Sequence, residues 1–182
     1  MQNERKQKTF TARNLCYGAL GTTLFCVGSF VAVPVGTIPF TLQVFAFCFV
    51  ACFLGVKLSL LSTVAYLTLG AIGVPVFSGF TGGVDKLMTY TGGFLIGFLP
   101  FVWIVSSFAK SRKFWTRFFG SAVALLVFYT IGVVWFCIVG YNAVTIEGII
   151  SALSVCVLPF ILADVMKIFL AIWLAEKLKK WI

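Results

Sequence analysis

Asp164 and Lys167 stand three positions apart inside LPFILADVMKIFLAIWLA (158–175), an otherwise apolar run in a chain of 182 residues that has no histidine. On a helix they share a face. An ionised side chain midway through a lipid-spanning segment costs roughly 2.5–3.5 kcal/mol on insertion scales, so such a pair must face protein, water or a ligand. Two chemistries fit. The pair either neutralises itself and pins helix packing, or offers a cation and an acceptor to a small ligand with a carboxylate and polar N–H groups. Catalysis fits poorly: the usual general base is absent, no nucleophile–base arrangement is visible, and no GxxxxGK followed by Ser or Thr provides an ATP-binding loop.

Other polar residues in apolar surroundings widen the candidate site. PVGTIPFTLQ (34–43) puts a proline-bounded loop before a helix, with Thr41 at its end and Gln43 about one turn in. A buried amide must find partners, either on neighbouring helices or on a ligand. GVPVFSGFTGGVDKLMTYTGGFLIGF (73–98) is the least helix-like stretch, with two Gly-Gly pairs, Pro75 and the charged neighbours Asp85 and Lys86. Irregular backbone at membrane depth is tolerated only where it is buried in protein or lines a wet cavity. Gly92 and Gly93, after Tyr90 and Thr91, either present helix N-terminal donors to a polar group or form a tight turn. Tyr66, Tyr90 and Tyr129 are available as aromatic walls.

These residues need a membrane domain to position them. The mean hydropathy of +1.09 and 10% charged residues exclude the ordinary globular and disordered classes. A hydrocarbon core about 30 Å thick takes about 20 apolar residues per helical crossing. Apolar runs at 15–33, 40–56, 58–74, 92–109, 118–140 and 159–177 predict six crossings, between a basic tail (1–14) and a basic end (178–182). With both termini cytoplasmic, twelve of the 14 Lys and Arg fall on the inside, as the positive-inside rule requires, and the exceptions are Lys86 and Lys167. The net charge of +9 is thereby explained by topology, without nucleic acid. Trp115 and Trp181 flank the inside and Tyr141 the outside, as interfacial anchors.

The three outer connections (34–39, 75–91, 141–158) hold most of the irregular backbone. Residues 145–157 read as a short helix capped by Thr145. Pro159 suits the first turn of the last helix, putting Asp164 and Lys167 in its second and third turns. Ala19, Thr22, Thr23 and Cys26 give the first helix small-xxx-small spacing, for a partner helix or for internal packing. The six cysteines lie in apolar segments as small core residues, with no CxxC pair and no histidine to complete a metal site.

Four segments in order, VPVGTIPFTLQ, GVPVFSGFTGG, TGGFLIGF and LPFILADVMKIFLA, resemble the successive signatures of the BioY family across nearly the whole chain. The resemblance implies an all-α membrane protein with the fold of the S component of an energy-coupling-factor (ECF) vitamin transporter. It implies a biotin pocket near the extracellular face, with biotin as transported ligand and no cofactor. The implied partners are a transmembrane coupling protein and two cytoplasmic ATPases, in a bacterial cell membrane.

Carried over by motif, Asp164, Lys167, Thr41, Gln43, Thr91, Gly92 and Gly93 belong to or surround that pocket; Tyr90, Lys86 and Tyr129 are candidates from the residues themselves, Lys86 in a segment, VDKLM, more charged than the family pattern. Ala19, Thr22, Thr23 and Cys26 resemble the surface that meets the coupling protein. The chain departs from the family where many members read PTGGY and it has Tyr90-Thr-Gly-Gly-Phe94. The rivals are an S component for another vitamin, a proton-coupled carrier using Asp164 and Lys167 as a relay, and an intramembrane enzyme.

Overall fold

The first helix, α1 (Ala12–Phe30), turns one face of small residues inward, and that face decides how closely its neighbours approach. In the computed structural model, which describes residues 12–35, 38–141 and 144–180, α1 leads into a hairpin of β1 (Ala32–Val35) and β2 (Ile38–Thr41). Then follow α2 (Gln43–Leu54), α3 (Val56–Ala71), the single turn α4 (Val84–Leu87), α5 (Gly92–Phe108), α6 (Phe114–Tyr141), α7 (Ile146–Cys156) and α8 (Ile161–Lys179).

The hairpin corrects the all-α expectation, and it shortens two expected spans: 15–33 ends its helix at Phe30, and 40–56 begins its helix at Gln43. β-branched residues favour the extended chain there. The register pairs Pro34 with Pro39, two residues without N–H donors, as antiparallel strands tolerate where opposed residues exchange no hydrogen bonds. The last helix also starts later than expected. Pro159 lies in the turn before α8, and Asp164 falls in the helix's first turn.

By length and composition α6 is able to cross a membrane alone, while α7 and α8 meet at a 54° bend and α2, α3 and α5 are shorter apolar helices. Gly55, at φ 75°, is the only residue between α2 and α3 and lets the chain reverse at once. Thr145 caps α7 as expected, its side chain accepting from the Gly148 amide at 3.1 Å. Trp181 and the basic residues before Ala12 lie outside the described residues.

Interior packing relies on aromatic stacking and close backbone approach, since lipid offers helices no hydrophobic reason to associate. Phe25 of α1 stacks on Phe47 of α2 at 3.8 Å, and Phe47 stacks on Phe98 of α5 at 3.9 Å. Tyr66 of α3 sets its edge against Phe25, Phe47 and Phe77. α5 meets α6 where Gly93 lies against Trp135, Gly97 against Phe128, and Gly132 under Phe94.

On α1 the expected small-residue set divides. Thr22 is buried and bonds the Ser62 carbonyl of α3 at 3.2 Å, which corrects its assignment to an outer surface. Ala19 and Thr23 are exposed and Cys26 is half-buried. Four of the cysteines are buried, but Cys16 is exposed and not a core residue.

Candidate ligand-binding site

The hairpin, α2, α6 and α8 converge on one buried polar cluster. Lys167 Nζ donates to Asp164 Oδ1 at 2.7 Å and to the Thr41 carbonyl at 2.7 Å, and it sits 3.7 Å from the centre of the Phe40 ring. Tyr129 OH donates to the second carboxylate oxygen of Asp164 at 2.7 Å. With Asp164 only 4% and Lys167 8% exposed, each charge is matched by the other and by further hydrogen bonds. The hairpin that the sequence concealed is what brings the Thr41 carbonyl and the Phe40 ring to Lys167.

Gln43, 8% exposed, is held from behind. Its Nε2 donates to Ser29 Oγ at 2.8 Å and to Tyr66 OH at 2.9 Å, while Oε1 accepts from Thr41 Oγ1 at 3.2 Å. Tyr66 is therefore no cavity wall, contrary to expectation: it is fully buried behind Gln43 and supports it.

Above this floor lies a cavity of about 360 Å³. Asp164, Lys167, Gln43, Thr41 and Tyr129 line it as one hydrogen-bonded cluster. Lys86, Thr89, Tyr90 and Thr91, on and after α4, line it from the loop side with Ser78 and Thr81. Much of the remaining lining is apolar, with Phe77, Phe94, Phe98, Phe128 and Phe160 contributing. A cavity of this size, with two polar groups of residues in a largely aromatic lining, fits a small molecule with a substantial apolar part and more than one polar group.

The cluster and the α4 side differ electrostatically. The floor is a matched ion pair. Lys86 lines the cavity and, among the described residues, takes part in no ion pair: the only pairs are Lys167–Asp164 and Arg117–Glu176. Asp85, its neighbour, is exposed and does not line the cavity.

Gly92 and Gly93 do not line the cavity. The Gly92 amide donates to the Thr89 carbonyl at 2.9 Å, and a Cβ there would collide with the Leu87 backbone. At Gly93 a Cβ would strike Trp135. Both glycines permit close backbone packing, so their expected place as ligand donors is corrected to the tight-turn alternative. The indole of Trp135 also donates to the Thr89 carbonyl at 3.0 Å and thus fixes the cavity rim.

A family model described as the BioY family matches residues 2–182. A protein of Pyrococcus horikoshii described as a probable biotin transporter BioY is 37% identical over 169 residues, 92% of this chain and 97% of its own length. The biotin transporter BioY of Thermotoga maritima is 36% identical over 169 residues, 92% of this chain and 96% of its own. Among solved structures, the S component for biotin from an ECF-type ABC transporter superposes with a TM-score of 0.81 at 25% identity, covering 99% of this chain and 95% of that one.

Proposed function

The chain belongs to the BioY family, and from that premise we propose that it is the biotin-binding S component of an ECF-type transporter. It is a transport subunit and not an enzyme. The observation that carries the molecular reading is a cavity lined both by the neutralised pair Asp164 and Lys167 and by Lys86, which among the described residues takes part in no ion pair.

Biotin has groups to match: a neutral ureido ring with N–H donors and a carbonyl, and a carboxylate on a flexible apolar chain. Lys167 has already committed two of its three hydrogens to Asp164 and Thr41, and its charge is matched by the Asp164 carboxylate, so it attracts a second anion less than an unmatched cation does. The ureido ring suits this cluster better. Its N–H groups reach the Asp164 carboxylate, whose oxygens retain lone pairs beyond those used by Lys167 and Tyr129. The carboxylate goes to Lys86, and the bicyclic ring and chain pack on the phenylalanine walls.

In the membrane, α1, α2, α3, α5, α6 and α8 are the six crossings, with α4 and α7 on the outer side and both termini cytoplasmic. This is the arrangement that the positive-inside asymmetry supports. The face of α1 that exposes Ala19 and Thr23 is where a transmembrane coupling protein docks. Two cytoplasmic ATPases complete the transporter in a bacterial cell membrane.

Titration of biotin into the purified protein tests the reading. Asp164→Asn is expected to weaken binding about tenfold or more, the loss associated with a charge-assisted hydrogen bond. Wild-type protein that binds another vitamin and not biotin would overturn the assignment.

A further inference from the structure

Two serine hydroxyls are buried without a hydrogen-bond partner among the described residues: Ser121 Oγ and Ser78 Oγ. Ser121 lies on α6 and does not line the cavity. Ser78 does line it.

The turn that carries Ser78 is closed by three hydrogen bonds. Phe77 and Thr81 exchange backbone hydrogen bonds at 2.9 and 3.4 Å, and Thr81 Oγ1 donates to the Ser78 carbonyl at 3.0 Å. Gly79 and Phe80 follow at φ 74° and 55°, a left-handed pair that folds the chain back over the cavity. The turn is anchored twice: Phe77 is buried against Gly70 and Tyr66, and Phe80 stacks on Phe30 at 4.5 Å. Among the described residues, the Ser78 hydroxyl is the one buried side-chain polar atom of this turn without a hydrogen-bond partner. Buried polar groups are nearly always satisfied, and an orphan beside a binding cavity calls for a partner that comes and goes.

We propose that Ser78 is a further ligand-contacting residue, whose hydroxyl rotates to donate to the ligand's carboxylate beside Lys86. Rotation about χ1 between staggered positions is all that the movement requires, because the backbone of the turn is fixed. Ser78 thereby selects for an acceptor at the loop end of the ligand, adding a neutral donor to the single cation there. This inference rests on biotin being the ligand.

The test is Ser78→Ala, with Ser78→Thr as the rescue variant, read by titration and by thermal unfolding with and without ligand. Removing an orphan hydroxyl leaves the unliganded protein as stable or more so. For biotin the affinity is expected to fall about fivefold to tenfold, the effect of one lost hydrogen bond. For a biotin analogue lacking its carboxyl group the affinity is expected to stay the same, and Ser78→Thr restores biotin binding. Unchanged biotin affinity in Ser78→Ala would overturn the proposal while leaving the biotin assignment intact. Equal losses for biotin and the carboxyl-free analogue would assign Ser78 a purely structural role and also overturn it. Failure of the wild type to bind biotin would instead remove the premise.

Discussion

Lys167 Nζ and Asp164 Oδ1 meet at 2.7 Å one helical turn apart on α8, and the contact is closed from both sides. The Thr41 carbonyl takes a second hydrogen of the ammonium, and Tyr129 takes the other carboxylate oxygen. The pair is therefore both a packing device and the floor of a cavity. The two uses that residue types alone left open turn out to be compatible.

Breaking the pair on one side should cost more than removing it. Lys167→Met leaves an uncompensated carboxylate that is 4% exposed, a loss of roughly 3–5 kcal/mol, seen as a clear fall in the thermal unfolding midpoint in detergent. In the double variant Asp164→Leu/Lys167→Met most of that stability should return, because no buried charge remains. Biotin binding should be absent from both. A double variant no more stable than Lys167→Met would mean that the pair contributes through packing and not through charge.

Lys86 should behave in the opposite way. It lines the cavity half-buried and, among the described residues, has no ion pair, so Lys86→Met is expected to leave the unfolding midpoint unchanged. Its effect should appear in binding: about tenfold or more weaker for biotin, the value of a charge-assisted contact, and little change for biotin methyl ester. If wild type and Lys86→Met prefer the free acid over the ester equally, Lys86 does not meet the carboxylate.

The α5–α6 contact yields a purely structural prediction. Gly93 packs against Trp135, and Trp135 in turn holds the Thr89 carbonyl at the rim. Gly93→Val pushes these apart, an overpacking that typically costs about 1–3 kcal/mol. Unfolding should occur at a lower temperature, and biotin affinity should fall through displacement of the rim. Gly93→Val with a normal midpoint would show that α6 moves aside freely.

How much of this was legible beforehand depended on contrast. Asp164, Lys167 and Gln43 stood out because a polar residue in an apolar run demands an explanation. The phenylalanine walls did not: with 21 phenylalanines in the chain, nothing distinguishes the five that line the cavity. Ser78 was equally silent, since a serine in a glycine-rich loop is ordinary. The hairpin was missed because two prolines suggest a loop, and only their pairing across the register reveals strands. Gly92 and Gly93 illustrate a degeneracy, because glycine permits close approach to a ligand or to protein and only the neighbours decide which.

Membrane orientation yields the last prediction. The six helices assigned as crossings are unequal: at 1.5 Å per residue the 12 residues of α2 reach about 18 Å, short of a hydrocarbon core of about 30 Å, whereas the 28 residues of α6 reach about 42 Å. On that proposed arrangement the hairpin before α2 supplies the missing depth on the cavity side, shielded by protein, since open strand edges do not face lipid. That side carries Phe80, 66% exposed, and the basic segment at 110–117 lies at the other. In a background with the exposed Cys16 replaced by serine, Phe80→Cys should react with a membrane-impermeant maleimide on intact cells. Lys113→Cys should react only after permeabilisation. The reverse pattern would place the cavity mouth towards the cytoplasm and would contradict uptake from outside through this site.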